Sequence, residues 1–428
     1  MPSLPIVTIP YELYGLTDEE IEKTAETLVD DVIAVLTTPR EKLIEEFKNK
    51  HGVEEIERKL SRPRAVDAYE RVRAPSSLAE AIDIFYQRGW TDGLPIVPPT
   101  EEAVEEMLAH TDRSPDELIG KIPPRWGKAT VEKIAVNAVM AGCLPQYFPI
   151  LLAATEGLAD LSFNLFALQA TTNPVAPLAI INGPVTRELG MNSGFNAFGP
   201  GWRSNATIGR AIRLIMTNIG GGIPGTTDKA IQGQPAKYTF CIAENEAENP
   251  WEPLSVERGF DSGASTVTLV GVQAVHNFVA WASTPGSILS TVANGMSAMG
   301  TNNLFHAGTA LVGMNPGHAA ILARSGYSKE GVKKFLFDNA RVPMARLHPD
   351  EVPHYQLRRP HLNWGVSDAL ITITDRWEDI MVVVVGAAGV HNVFMPTFGD
   401  PTLPVTKPIT LKDGTPVSSV EQFRQARK

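Results

Sequence analysis

Between Asn192 and Gly225 the chain gathers side chains suited to recognising negative or developing negative charge, in NSGFNAFGPGWRSNATIGRAIRLIMTNIGGGIPG. Gly199-Pro200-Gly201 breaks the backbone, and Ser204 or Asn205 is then expected to cap a helix on which Ile208, Ile212 and Ile215 share a face. A glycine-rich turn entering a helix presents free N–H groups and the positive end of the helix dipole. With Arg203 beside it, such a turn suits a carboxylate, a phosphate or a developing oxyanion. Asn196, Trp202, Arg203, Asn205 and Thr207 are therefore the candidate substrate-binding residues. The competing reading is a glycine-rich connection whose asparagines satisfy nearby backbone groups.

Proton transfer has candidates elsewhere. Tyr238, Phe240 and Ile242 alternate as a strand should, which places Glu244 and Glu246 where that strand ends, a usual position for a general base. His276, His318 and His391 each follow a strand–glycine turn, and strand ends on one sheet share an edge, so these rings are candidates for convergence. Glu244, His276 and His391 are taken as the catalytic set, joined by Cys143 as a nucleophile or as the group facing a partner's thiol. Cys143 lies in M-A-G-C-L-P, between the end of one helix and the start of the next. Proximity to the second helix would stabilise its thiolate and proximity to the first would oppose it, while burial would leave it inert. Neither cysteine belongs to a C-x-x-C pair. There is no H-x-H or H-E-x-x-H spacing, so no metal ligands are assigned. G-x-S-x-G, a Walker loop and a complete G-x-G-x-x-G are also missing, and no cofactor is assigned.

The elements that must position these residues fall into three regions. Residues 1–75 read as a helical segment: Thr17 and Glu20 form a capping box, a second charged helix covers about 40–61, and SRPRAVDAYERVRAPSS reads as a linker. Residues 76–160 read as a helical domain, with Ser77 and Thr100 as caps and Pro145 opening a later helix. Residues 161–428 carry short apolar runs (APLAIING, STVTLVG, TALVG, ALITITD, IMVVVVG) alternating with helical stretches. The expected fold class is α/β, a mixed and mostly parallel sheet with helices. LVGVQAVHN (269–277) and VVGAAGVHN (384–392) align without a gap, and IINGPV and LVGMNPGH are weaker relatives, so an internally duplicated half is expected.

Bulk properties exclude several classes. The 428 residues are 43% hydrophobic and carry a net charge of -10 without a basic tract, which argues against nucleic-acid binding. The longest apolar runs are too short to span a bilayer. The N-terminus lacks a basic stretch followed by an apolar one, so no signal peptide is expected. Two cysteines fit a reducing, cytoplasmic setting.

TDGLPIVPPT, MAGCLPQYFPIL, LQATTNPVAPLAIINGP, NSGFNAFGPGWRSNATIGRAIR, KYTFCIAENEAENPW and VVGAAGVHNVF together resemble the UGSC family, over roughly residues 80–400. That family is named for a Sec-Gly-Ser-Cys or Cys-Gly-Ser-Cys motif in a small α/β domain preceding the shared region. This chain has no such motif, and its start, IPYELYGLTDEEIEKTAETLVDDVIAVLT, is similar to the closing helix of that domain. The resemblance implies thiol-linked chemistry on a small molecule, either redox or a change at a carbon–heteroatom bond. The missing motif implies that this small domain is truncated, lost or carried by a separate subunit, and a separate one would supply the thiol or selenol and dock near residues 1–75. The chain is thus expected to be the large subunit of a heteromeric oxidoreductase or lyase, acting on a small anionic or carbonyl-bearing substrate. A non-catalytic scaffold for a redox partner, or a metal-dependent hydrolase or lyase using the strand-end histidines, are the alternatives.

Overall fold

Thr17 accepts from the Glu20 amide, and the Glu20 carboxylate accepts in return from the Thr17 amide, opening helix α1 (Asp18–Thr37) with the expected capping box. In this computed structural model the described residues are 17–39, 42, 73, 75, 77–365 and 369–426. The helix expected over 40–61 and the linker after it lie almost wholly outside them. The chain divides into two units between Val66 and Asp67, and the second unit, Asp67–Lys428, holds every described element after α1.

Ser77 caps α2 (Leu78–Gln87) and Thr100 caps α3 (Glu101–Leu108), both as expected. A hairpin comes next, β1 (Leu118–Ile122) with β2 (Gly127–Thr130), where only helices were anticipated. Thr130 caps α4 (Val131–Ala141), Gly142 ends it at φ 85, and Pro145 opens a single 3-10 turn before α5 (Phe148–Ala159). Next come α6 (Leu165–Ala170), β3 (Ala176–Asn182), α7 (Val185–Glu188), α8 (Arg203–Asn218), β4 (Cys241–Ala243), α9 (Leu254–Glu257), β5 (Thr266–Val272) and β6 (His276–Val279). The remaining elements begin with α10 (Pro285–Met296), α11 (Asn302–His306), β7 (Ala310–Met314), α12 (Pro316–Arg324) and α13 (Lys329–Asn339). They close with β8 (Arg341–Pro343), α14 (Val352–Arg358), β9 (Leu370–Thr372), β10 (Ile380–Val384), β11 (His391–Met395), β12 (Val405–Pro408) and α15 (Glu421–Ala426). Among the described residues no single helix is long and apolar enough to cross a membrane.

Two four-stranded sheets, ordered β12-β5-β3-β4 and β10-β7-β11-β6, form the centre. Strand alternation assigns their faces. Leu178, Ile180 and Val270 of the first sheet meet Leu311, Met381 and Val383 of the second in one buried cluster, so the sheets stack face to face. On the outer face of the first sheet, Ile181 and Leu269 pack with Ile134 of α4, Leu151 of α5 and Ile212 of α8. On that of the second, Val312 and Val382 pack with Ile288 of α10, Leu322 of α12 and Leu336 of α13. The result is four layers: helices, sheet, sheet, helices. Strands buried on both faces read as continuous apolar runs, which is how they appear in the sequence.

This α/β architecture with mixed sheets differs from the expectation in two respects. Only β3–β4 and β7–β10 run parallel, whereas the other six ladders among the described residues are antiparallel. A parallel pair needs a crossover of a dozen or more residues, and in each four-stranded sheet only the links from β3 to β4 and from β7 to β10 join such neighbours. Nor is 76–160 a separate helical domain, because α4 and α5 share one core with α8 and β5.

The duplication takes an unexpected form. In each sheet a central strand (β3 or β7) has a parallel neighbour (β4 or β10) and, on its other side, an antiparallel one (β5 or β11). The fourth strand lies beyond, antiparallel again: β12 on β5, and β6 on β11. In chain order the halves are β3-β4-β5-β6 and β7-β10-β11-β12, with the β8–β9 ribbon inserted, so each half lends its last strand to the other's sheet. The two V-G-x-x-x-V-H-N segments do not occupy equivalent places in this scheme. The first runs from β5 into β6 and the second from β10 into β11. The equivalent positions belong to the weaker relatives, where β3 ends at Asn182 and β7 leads at once into Asn315.

Candidate functional site

The candidate anion pocket at the start of α8 is occupied by the protein itself. The helix begins at Arg203 with Trp202 as its N-cap, and no side chain caps it. Asn205 is buried inside the first turn: its Oδ1 accepts from the Asn192 amide at 2.8 Å, and its Nδ2 donates to the carbonyls of Asn192 (2.9 Å) and Cys241 (3.3 Å). This amide ties α8 to the 192 loop and to β4, so neither Ser204 nor Asn205 is the cap the sequence suggests. The Arg203 guanidinium donates through Nε (3.1 Å) and Nη2 (2.9 Å) to the Gly142 carbonyl, closing the end of α4. Thr207 Oγ1 donates to the Arg203 carbonyl at 2.7 Å. Asn196 is exposed with φ 62, serving the turn, and Trp202 is part-exposed at 38%. Of the five residues, Asn205, Arg203 and Thr207 bond to backbone, as the competing reading of the segment holds.

Cys143 is buried beside this helix start, and burial pushes its thiol up to about 12, against smaller opposing pulls from Thr207, Arg203 and Arg210. Burial likewise raises the Cys241 thiol. Neither sulfur is a thiolate near neutral pH, so Cys143 is not placed to act as a nucleophile. Desolvation outweighs the helix-end effect that the sequence left open.

His276 and His391 do not converge. They open β6 and β11, which pair antiparallel with His276 opposite Phe394 and His391 opposite Val279. That puts the two residues at opposite ends of a four-residue ladder, their backbone positions about 10 Å apart along the strands. Both side chains are exposed, and His391 Nδ1 meets Asn277 Nδ2 at 3.1 Å. Among the described residues no group of three or more His, Cys, Asp or Glu is placed to hold a metal ion.

Glu244 is 2% exposed at the end of β4. Its carboxylate accepts from Asn182 Nδ2 (2.6 Å), the Leu254 amide (2.7 Å) and Asn249 Nδ2 (3.0 Å). Asn182 Nδ2 is shared with Glu246, 2.7 Å away. Burial raises the Glu244 pKa, while Lys329 and the hydrogen bonds from Asn182 and Leu254 oppose the rise. Bonded in this way to groups of β3 and the start of α9, Glu244 ties those elements to β4.

The ends of the two parallel pairs nevertheless meet at one edge. The Asn245 amide donates to the Val384 carbonyl (2.8 Å), and the Gly386 amide donates to the Ser193 carbonyl (2.8 Å). These bonds join the ends of β4 and β10 to the 192 loop. Beside them sits His318, 4% exposed, on the first turn of α12. Its Nδ1 lies 2.9 Å from Asn315 Nδ2 and 2.8 Å from Asn392 Nδ2, and burial lowers its pKa. Among the described residues its Nε2 has no hydrogen-bond partner. Ligands of α/β folds bind where strands end at such a junction, so a buried, oriented imidazole here is the side chain best placed for chemistry.

Of the motif histidines, His318 is the one with a built environment, although the sequence favours His276 and His391. The clue lies in LVGMNPGH and VHN: an asparagine before Pro at a helix start, and another directly after a histidine. The chain matches no protein-family model, no curated protein and no solved structure.

Proposed function

We propose that the chain is the large, cytosolic subunit of a thiol-linked oxidoreductase or lyase, acting on a small anionic or carbonyl-bearing molecule at the edge where β4, β7 and β10 end. The observation that carries this reading is His318, a buried ring fixed at Nδ1 by two side chains and unpartnered at Nε2 among the described residues. Such environments are built around proton-handling and hydrogen-bonding groups in active sites. The protonated, buried thiols of Cys143 and Cys241 favour a reactive thiol or selenol on a separate small subunit, in keeping with the UGSC resemblance.

The test is turnover of a panel of small carboxylates and carbonyl compounds by the full chain, with and without dithiothreitol standing in for the partner's thiol. Turnover is expected only with the thiol present, falling by about 10²–10³ in His318→Ala. Full activity in that variant would remove His318 from the chemistry. Turnover independent of any thiol would overturn the thiol-linked part.

A further inference from the structure

A neutral imidazole carries its proton on one ring nitrogen and a lone pair on the other, so its neighbours decide which nitrogen faces a ligand as a donor. Around His318 that decision can be traced outward to backbone groups, whose donor or acceptor character is not open to choice. Asn315 Oδ1 accepts from the backbone amides of His318 (3.0 Å) and Gly389 (3.4 Å), and its Nδ2 donates to the His391 carbonyl (3.0 Å). Those bonds fix which end of the Asn315 amide is nitrogen, and that end faces His318 Nδ1. Asn392 Oδ1 accepts from the Asn315 backbone amide (3.1 Å), which leaves its Nδ2 as the group facing the same ring nitrogen. Asn315 Nδ2 also lies 3.0 Å from Asn392 Oδ1, so its two hydrogens are shared among three acceptors, while Asn392 Nδ2 points a hydrogen at Nδ1; both groups facing Nδ1 are N–H donors. A proton there would meet both of them head-on, so Nδ1 holds the lone pair and Nε2 holds the hydrogen.

We propose that His318 works as a neutral hydrogen-bond donor through Nε2–H, with Asn315 and Asn392 as its positioning residues, and that the substrate presents a carbonyl oxygen or an enolate-like oxyanion to it. A ring in this state cannot accept a proton at Nε2 without first changing tautomer, so a carbon acid would have to be deprotonated by another group. The inverse arrangement, with Nε2 as base, needs an acceptor at Nδ1, and neither amide offers one. Burial works in the same direction by disfavouring the imidazolium. A neutral donor of this kind, held in a low-dielectric setting, stabilises charge that develops on oxygen without placing a full charge there beforehand. The substrate class rests on the proposed enzyme function, whereas the tautomer does not.

The measurement is a set of proton–nitrogen correlation spectra of the full chain labelled with ¹⁵N-histidine, the His318 signal being identified by its loss in His318→Gln. Near neutral pH, Nε2 is expected to be protonated and Nδ1 bare. Oxalate, an enolate-oxygen mimic, should shift Nε2 more than Nδ1. In Asn392→Asp a carboxylate accepts from Nδ1, so the proton should move there and oxalate should bind about tenfold more weakly, the loss of one good hydrogen bond. A protonated Nδ1 in the unmodified chain overturns the proposal even if the variant fails to fold. The expected tautomer with no response to oxalate or pyruvate overturns the substrate class. Absence of turnover in every assay, with tautomer and oxalate response as expected, would count against the enzyme reading alone.

Discussion

Thiols lose ionisation when they leave water, and Cys143 shows how far that outweighs nearby positive charge. Its sulfur is buried although Arg203 and Arg210 act on it, and the thiol stands at about 12 against an ordinary 9.0. In the unfolded chain it ionises from about pH 9, while in the folded chain it stays neutral to about 12. The stability linked to this group is therefore fully present below about pH 9 and is lost as pH rises from there toward 12. Urea unfolding midpoints measured across that interval should fall with pH, and less so in Cys143→Ala. Iodoacetamide should label Cys143 in the native chain far more slowly than in urea; equal rates would show the thiol to be accessible. M-A-G-C-L-P places the residue between two helix ends of opposite dipole sign, but only tertiary packing determines that desolvation dominates.

At the scale of elements, the features legible in advance were the local ones. The caps at Thr17, Ser77 and Thr100 each bond three residues ahead, so the sequence pattern contains both partners. The start of α8 could not be read this way. Asn205 bonds to positions 13 and 36 residues away, and that long-range use removes it from capping. Asn205→Ala should cost about 2–3 kcal/mol in urea unfolding, since it removes the partner of the buried Asn192 amide and the side-chain donor to the Asn192 and Cys241 carbonyls, the former keeping a bond from the Ala243 amide. Arg203→Ala, whose partner is the Gly142 carbonyl in a solvent-accessible setting, should cost less than about 1 kcal/mol. A larger loss from Arg203 than from Asn205 would reverse the assignment of which residue anchors the helix.

For the whole molecule, the exchange of fourth strands has a mechanical consequence. A cut at the exposed turn Met299–Gly300 separates β3–β6 and α10 from β7–β12. Yet β6 remains paired to β11 and β12 to β5, and α10 packs on the second sheet. A chain nicked there should run as two bands on a denaturing gel and as one species in size-exclusion chromatography, with little loss of helix signal. Fragments that part without denaturant would contradict the exchanged topology. The same topology brings the ends of β4, β7 and β10 to the edge that holds His318.

The sequence alone determined the α/β class, the local helix caps and the set of histidines to consider, because these depend on apolar runs and short-range hydrogen bonds. The tertiary structure alone decided which ladders are parallel, which half owns which strand, and which histidine is buried and oriented. Those outcomes turn on contacts such as Asn392 with His318, 74 residues apart. No local propensity encodes a pairing over that distance, because it forms only once two sheets have stacked and their strand ends have met.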